Sequence, residues 1–392
     1  MKSLKKVSIF GVTGSIGQST ADLILSDFER FDVCVVSAAR SVDKLAEMAI
    51  SLKAEIAVIA DHSLLPRLEE LLVNHDIKAM GGEQGLLDAA SVPVDITVAA
   101  IVGMAGLKPL MVSIENSKAV AIANKEPLVS AGALVLKAAK EAGCKILPVD
   151  SEHNAIFQVF DPENKQHIKQ IVLTASGGPF REWSREKMSV ATVEQAMAHP
   201  NWSMGAKISV DSASMMNKAL EIIEAYYLFE IEADKINVII HPQSVAHSMV
   251  EYADGSYLAQ MGASDMRTPI AYALAWPDRM QTCGERLDIT ALSKLEFHAP
   301  DCERFPALSR AYEVLEKGSW ACIALNAANE VAVEAFLKKK IGFLDIMKVI
   351  DFVLESCDAK EIDSLEAVIL YDEACRDIAS NYIQAGLKSK VG

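Results

Sequence analysis

A chain of 392 residues is long enough for two or three domains with real cores, and 51% hydrophobic with 23% charged residues places it among ordered globular proteins. Its formal net charge of −15 argues against general binding to nucleic acid or to an anionic membrane, so an anionic ligand must be held by a local cluster of donors, and the expected partners are small molecules. Seven cysteines, spread from Cys34 to Cys375 without a Cys-x-x-Cys pair, fit free, mostly buried thiols in a reducing, cytoplasmic compartment better than a disulfide framework or a zinc site.

The lysines of the N-terminus followed by Val7-Ser8-Ile9-Phe10 imitate a signal peptide, but the apolar run is short and leads into glycines. The uncharged run Ile96 to Leu107 falls below the ~18 residues that span a bilayer, so no membrane contact is expected. Val7 to Phe10 reads as a strand that enters Gly11-Val12-Thr13-Gly14-Ser15-Ile16-Gly17 and then a helical pattern. Strand, glycine turn and helix make a dinucleotide site, because glycines admit a pyrophosphate and a helix N-terminus offers free N–H groups. The spacing is Gly-x-x-Gly-x-x-Gly, which still puts Thr13, Gly14, Ser15 and Ile16 at the phosphate-facing turn; a purely structural turn is the alternative.

A second strand, Val33 to Ala38, ends in Ala39-Arg40-Ser41, where an NAD-specific domain usually carries an acid. A basic residue there suits a 2′-phosphate and points to NADP; the alternative is a surface arginine without a role. Further strands are expected at Ile56 to Ala60, Ile96 to Ala100, Ala119 to Ile122 and Lys145 to Val149, with helices such as Leu64 to Leu72 and Leu128 to Ala142 between them. This alternation predicts an α/β fold that opens with a doubly wound, Rossmann-like parallel sheet over residues 1–150.

Ala123-Asn124-Lys125-Glu126-Pro127 follows one such strand at the edge where open sheets bind ligands. Lys125 is a candidate to touch substrate, with Asn124 and Glu126 near the nicotinamide, although Asn124 and Pro127 would also serve a capped helix start. In Leu147-Pro148-Val149-Asp150-Ser151-Glu152-His153-Asn154 an extended run would aim Asp150 and Glu152 the same way. Two converging carboxylates suit a hard ion, Mg²⁺ or Mn²⁺; a solvated strand end is the bland alternative.

A second, α/β catalytic domain is expected over residues 151–277, with a connecting segment 278–305 and a C-terminal helical domain 306–392 whose Leu325, Ala328, Val331, Val333 and Phe336 recur at helical spacing. Ile168 to Thr174 is a strand ending in Ala175-Ser176-Gly177-Gly178, where Ser176 can donate to an anion. The loop His199-Pro200-Asn201-Trp202-Ser203-Met204-Gly205 carries Trp202 and Met204 among turn residues and reads as a lid, unless Trp202 is a core anchor. In Asp211-Ser212-Ala213-Ser214 to Glu221 a helix is expected to start on one of three good caps. Asn217, Lys218 and Glu221 then share a face: Ser212, Asn217 and Lys218 would bind a phosphate, and Glu221 would be a third carboxylate for the metal, whereas a surface Lys218–Glu221 pair is the alternative.

These stretches, with His241-Pro242-Gln243-Ser244, Asp265-Met266-Arg267-Thr268-Pro269 and Leu325-Asn326-Ala327-Ala328-Asn329-Glu330, resemble the 1-deoxy-D-xylulose 5-phosphate reductoisomerase family over nearly the whole chain. The resemblance implies an enzyme of the methylerythritol phosphate route to isoprenoids that uses NADPH and Mg²⁺ or Mn²⁺ on a phosphorylated ketose, and it implies a homodimer. It further implies Asp150, Glu152 and Glu221 as metal ligands, and Ser176, His199, Ser212, Asn217 and Lys218 around the substrate phosphate, with Ser151 and Lys125 near its polar backbone. Thr13, Gly14, Ser15, Ile16, Ala39, Arg40, Ser41, Asn124, Glu126 and Gly205 match cofactor positions. The family often has Gly-Lys-Asn where this chain has Ala39-Arg40-Ser41, which changes the 2′-phosphate contacts but keeps the charge. Two other readings stand beside it: an oxidoreductase like homoserine dehydrogenase, which needs neither metal nor substrate phosphate, and a non-catalytic dinucleotide-binding sensor.

Overall fold

The computed structural model describes residues 4–202 and 204–387, so the extreme N-terminus, Ser203 of the expected lid and the last residues of the expected helical domain lie outside the described residues. The chain forms two compact units. One comprises Met1–Pro127, Val135–Phe157 and Asp265–Arg286, and the other Leu128–Leu134, Gln158–Ser264 and Leu287–Gly392.

The first unit is built on seven parallel strands: β1 Lys5–Phe10, β2 Phe31–Ala38, β3 Ile56–Ile59, β4 Lys78–Gly81, β5 Val94–Ala99, β6 Ser117–Ile122 and β7 Lys145–Pro148. Their order is β4-β3-β2-β1-β5-β6-β7, so the strand order reverses between β1 and β5, the place where such sheets bind ligands. Val7, Ile9, Val33, Val36, Ile96 and Val98 are buried almost completely, as near-continuous apolar strands covered on both faces require. β4 carries no such run, Lys78-Ala79-Met80-Gly81 being partly exposed at the sheet edge, and this is why the sequence did not announce it.

The expected boundary at residue 150 falls inside this unit, which takes back the helix Arg267–Ala275. Two bonds show why. The Lys5 ammonium donates to the carbonyls of Leu274 at 2.8 Å and Trp276 at 3.1 Å, and Ile270 and Leu274 join the buried cluster around β1 and β2. Asn154 Nδ2 donates to the Pro148 carbonyl at 2.9 Å and to that of Pro269 at 3.4 Å.

In the second unit, β8 Ile168–Ala175, β9 Ile236–Ile240, β10 Ala246–Tyr252 and β11 Tyr257–Met261 form a mixed sheet ordered β11-β10-β8-β9. β8 and β9 run parallel; β10 is antiparallel to both β8 and β11. The same unit holds the helices Ala307–Lys317, Ser319–Leu337, Asp345–Ser356 and Leu365–Gln384. Ser319–Leu337 is long and apolar enough to cross a membrane, but 72% of its apolar window is buried within the protein, as befits the central helix of this group.

Candidate active site

In the first unit, the turn after β1 is held from below. Gly11 and Val12 donate their N–H groups to the Ser37 carbonyl at 3.1 and 2.8 Å, which ties the turn to β2. Gly11 has φ +93°, and a Cβ there would lie 2.5 Å from the Ala100 carbonyl oxygen; a Cβ on Gly17 would lie 2.3 Å from the Gly11 oxygen. Those two glycines are therefore required by packing. Gly14 is different. Its φ is −76°, and a Cβ would meet the chain only at 3.4 Å, so the fold leaves its outer flank open. Gly14 is the N-cap of the helix Ser15–Ser26 and supplies no side-chain cap, leaving the first-turn N–H groups for an anion.

At the end of β2, Arg40 is 83% exposed, and its Nε lies 3.2 Å from Asp61 Oδ2. The acid absent from β2 thus enters from the turn after β3, a partner that no local reading of Ala39-Arg40-Ser41 could supply. Ser41 caps the helix Val42–Ser51 by position, without a side-chain bond.

After β6, the alternative of a capped helix start holds only for Pro127, which stands in the first turn of Glu126–Ala142; the N-cap is Lys125 and no side chain, Asn124 included, caps it. Nδ2 of Asn124 is instead buried without a hydrogen bond among the described residues, as is Ser113 Oγ, and both side chains line a small recess with Ile101 and Leu110. Lys125 turns to Asp150, with Nζ 2.7 Å from Oδ2; the two side chains are 6% and 13% exposed. Glu126 is buried.

The strand alternation proposed for Asp150 and Glu152 is corrected by the structure. β7 ends at Pro148 and the helix Ser151–Val159 begins immediately, so Glu152 stands in a first helical turn. Val149 makes the last ladder bond, its N–H donating to the Ile122 carbonyl at 2.9 Å, and Asp150 Oδ1 accepts the Glu152 N–H at 3.2 Å, the bond that starts a helix. Ser151 Oγ donates to Glu152 Oε2 at 2.5 Å, and His153 Nδ1 lies 3.4 Å from Asp150 Oδ1. The two carboxylates are brought together by a strand-to-helix turn instead of a pleat.

The second unit gathers the anion-binding candidates. After β8, Gly177 and Gly178 have φ +85° and +67°, and a Cβ on Gly178 would lie 2.4 Å from the Ser212 carbonyl oxygen. This close approach seats Ser176 beside the helix Ala206–Ala213 that carries Ser212. Ser176 Oγ lies 2.9 Å from His199 Nε2 and accepts the Gly178 N–H at 3.1 Å. His199 Nδ1 accepts the N–H groups of Asn201 at 3.2 Å and Trp202 at 3.0 Å. An Nδ1 that accepts cannot carry the proton, so the neutral ring is the Nε2–H tautomer and donates to Ser176. Burial lowers the His199 pKa below its ordinary value, which favours this neutral form. The Ser176 hydroxyl, accepting from both, keeps its own proton for a third partner.

The expected helix start between Asp211 and Ser214 is corrected as well. Asp211 and Ser212 lie inside the helix Ala206–Ala213, for which Gly205 is the N-cap; the chain breaks at Met215, φ +62°, and Met216–Phe229 begins next. Ser214 alone acts near an end, its hydroxyl accepting the Met216 N–H at 3.3 Å. On the second helix Asn217 Nδ2 donates to Glu221 Oε1 at 2.5 Å, and Lys218 Nζ pairs with Oε2. Glu221 is fully buried and Lys218 nearly so, which excludes the surface pair.

Sequence reasoning missed three supporting groups. Asp211 is buried, paired with Lys207 Nζ at 2.9 Å and accepting from Asn329 Nδ2 at 2.9 Å. The i, i+4 spacing of Lys207 and Asp211 was a visible signal; Asn329, distant in sequence, offered none. Asn201 Nδ2 donates to the Pro242 carbonyl at 2.7 Å and to Ser244 Oγ at 3.0 Å, pinning the loop that bears Trp202, whose ring lies 6.2 Å from that of His247. Trp202 and Met204 are half-buried.

Family models for 1-deoxy-D-xylulose 5-phosphate reductoisomerase match residues 7–132, and those for its C-terminal domains match 146–229 and 261–378. The chain is 52% identical over 376 residues to a reductoisomerase of that name from Zymomonas mobilis, covering 96% of this chain and 97% of the relative. It is 51% identical over 387 residues to one from Rhodospirillum centenum, covering 99% and 96%. Among solved structures it is similar to the Zymomonas mobilis enzyme in complex with NADPH, with TM-score 0.92, 49% identity and 98% and 100% coverage. It is also similar to a DOX-P reductoisomerase in complex with NADPH, fosmidomycin and magnesium, with TM-score 0.94, 42% identity and 99% and 100% coverage.

Proposed function

The chain belongs to the 1-deoxy-D-xylulose 5-phosphate reductoisomerase family, and on that premise we propose how its residues divide the work of the reaction. It is an NADP-dependent oxidoreductase that isomerises and reduces 1-deoxy-D-xylulose 5-phosphate to 2-C-methyl-D-erythritol 4-phosphate, with a divalent metal, in non-mevalonate isoprenoid synthesis. When bound, the ion supplies Lewis acidity toward the substrate carbonyl and its neighbouring hydroxyl, which favours carbon–carbon cleavage and rejoining, and NADPH supplies the hydride.

Asp150, Glu152 and Glu221 are the proposed ligands of that ion. Their support is chemical: all three donors are carboxylate oxygens, the set a hard cation of the Mg²⁺ or Mn²⁺ kind selects, and each is oriented by a neighbour, namely Lys125, Ser151 and Asn217. Lys125 balances Asp150 and reaches the polar backbone of the substrate, with Ser151 beside it. Ser176, Ser212, Asn217, Lys218 and His199 hold the substrate phosphate. The observation that carries this assignment is the His199 tautomer, which leaves the Ser176 hydroxyl as a donor beside the Ser212 helix. Binding energy gained at the phosphate is then available for orientation at the reacting carbons.

For the cofactor, Thr13, Gly14, Ser15 and Ile16 are proposed at the pyrophosphate and Ala39, Arg40 and Ser41 at the 2′-phosphate. Asn124 and Glu126 are proposed at the nicotinamide end, and Gly205 is a further proposed cofactor contact. The open flank of Gly14 and the unpartnered Asn124 amide are what a bound dinucleotide would fill. Trp202 and Met204 are assigned to a lid over the substrate. Residues 1–150 are assigned to cofactor binding, 151–277 to catalysis, 278–305 to the connection and 306–392 to bracing. We place the protein in the cytoplasm as a homodimer without nucleic-acid or membrane partners; its free thiols and net charge of −15 support the setting, and the open edge of β11 supports the dimer.

Turnover of NADPH with deoxyxylulose phosphate, with and without Mg²⁺, tests the whole reading. Asp150→Asn and Glu221→Gln keep shape, so both should fold and bind NADPH while metal affinity, titrated calorimetrically with a substrate analogue present, falls at least about tenfold. Unchanged metal affinity in Glu221→Gln would remove Glu221 from the ligand set.

A further inference from the structure

Two of the seven cysteines are not isolated. Cys357 is the C-cap of the helix Asp345–Ser356, and Cys375 lies within the helix Leu365–Gln384; their Sγ atoms are 3.4 Å apart. Cys375 is fully buried, whereas Cys357 is half-exposed at the helix end. We propose that this pair is an oxidative modification site, in which a hydroperoxide converts Cys357 and Cys375 reversibly to an intramolecular disulfide.

The geometry divides the roles. Cys357 is the more accessible residue of the pair, so the reaction with peroxide is assigned to it, and Cys375 resolves the product from the protected side. The Cys375 thiol beside the Cys357 sulfur lowers the Cys357 pKa from its ordinary value, which favours the thiolate. The contact with the Cys357 sulfur and burial away from water raise the pKa of Cys375, so it holds its proton more tightly than an ordinary thiol. In the first step the Cys357 thiolate attacks the O–O bond: an S–O bond forms, the O–O bond breaks, and the departing alkoxide takes a proton from water. Sulfur is oxidised by two electrons and the peroxide is reduced to an alcohol. In the second step Cys375 attacks the sulfenic sulfur: the S–S bond forms, the S–O bond breaks, and water leaves with the hydroxyl and the Cys375 proton. The sulfurs need to close only from 3.4 Å to the ~2.05 Å of a disulfide, and Cys357 stands at a helix terminus.

The other five thiols lack this combination. Cys34, Cys144 and Cys322 are buried, and burial raises their pKa values to about 11, 11 and 12. Cys283 and Cys302 are exposed, and neither has a sulfur neighbour among the described residues. Cytosolic disulfides are in general transient and redox-sensing, which matches a pair that forms on demand.

The test uses the full chain with NADPH and Mg²⁺ bound, exposed to a small excess of hydrogen peroxide at neutral pH, alkylated, digested and analysed by mass spectrometry. The expected product is a linked peptide pair carrying Cys357 and Cys375, lighter by two hydrogen atoms, formed several-fold faster than oxidation of Cys283 or Cys302 and reversed by dithiothreitol. Cys375→Ser should arrest Cys357 as a sulfenic acid that dimedone traps, and Cys357→Ser should leave Cys375 reduced. Oxidation of Cys283 and Cys302 while the 357 and 375 peptides stay unlinked would overturn the proposal, as would a link found only between two chains.

Discussion

His199 carries the most chemistry per atom of the substrate-side residues. Its Nδ1 takes two backbone N–H groups and its Nε2–H serves Ser176, so one proton added to Nδ1 would eject both loop amides at once. Burial lowers its pKa, so it binds a proton more weakly folded than unfolded. The contribution to stability is then present above the ordinary value of ~6.5 and declines as pH falls through the lower folded value. Denaturant midpoints should fall further between pH 7.5 and 5.5 in the unaltered protein than in His199→Gln, and KM for the phosphorylated substrate, whose own phosphate takes up a proton at pH ~6, should rise more steeply with acidification where His199 is present. Equal pH dependence in the two proteins would contradict the tautomer. Arg40 gives a second residue-scale outcome. It touches Asp61 through Nε, and none of the described bonds uses its terminal nitrogens. Arg40→Asp should raise KM for NADPH by about tenfold to a hundredfold, the loss of a charge-assisted bond of ~1.5–3 kcal/mol, while NADH changes little. Equal kcat/KM for both cofactors in the unaltered chain would remove the argument.

At the scale of elements, the parallel sheet was legible because its strands are continuous apolar runs followed by glycines or polar clusters; β1, β2, β3, β5, β6 and β7 fall within a few residues of expectation. The carboxylate pair was legible as a pair but not as geometry. Period-two alternation was assumed across Asp150-Ser151-Glu152, whereas the last ladder bond is made at Val149 and Asp150 starts a helix, a local competition that propensity alone does not decide. The break at Met215 was equally hidden, since a non-glycine residue at φ +62° leaves no sequence signature and is held by its surroundings. Asn329 shows what long-range contacts add. From the helix Ser319–Leu337 its amide donates to buried Asp211, one residue before Ser212. Removing it leaves a buried carboxylate short of a donor, at a cost of about 1–3 kcal/mol. Asn329→Ala should lower the denaturation midpoint and raise KM for the phosphorylated substrate, with KM for NADPH unchanged; a stability loss with both KM values intact would mark Asn329 as structural only.

On the scale of the whole molecule, the mixed sheet of the second unit has two unlike edges. β9 is guarded, because Ile240 and His298 exchange N–H and carbonyl bonds at 2.8 and 2.9 Å. β11 has no strand on its outer side among the described residues, and it exposes Tyr257 by 50%, Leu258 by 48% and Met261 by 38%. An apolar open edge is a template for pairing with another chain, and an ordered protein covers it, blunts it with charge or uses it. No charged residue stands in Tyr257-Leu258-Ala259-Gln260-Met261, so blunting is absent and use by a second copy is the expectation. Leu258→Lys puts a cation on that edge without disturbing a buried side chain. Sedimentation should then report a monomer where the unaltered protein is a dimer, with unfolding free energy per chain changed by no more than about 0.5 kcal/mol beyond the loss of dimer linkage. A dimer that persists with unchanged affinity would move the interface elsewhere, and a monomeric unaltered protein at micromolar concentration would refute the homodimer itself.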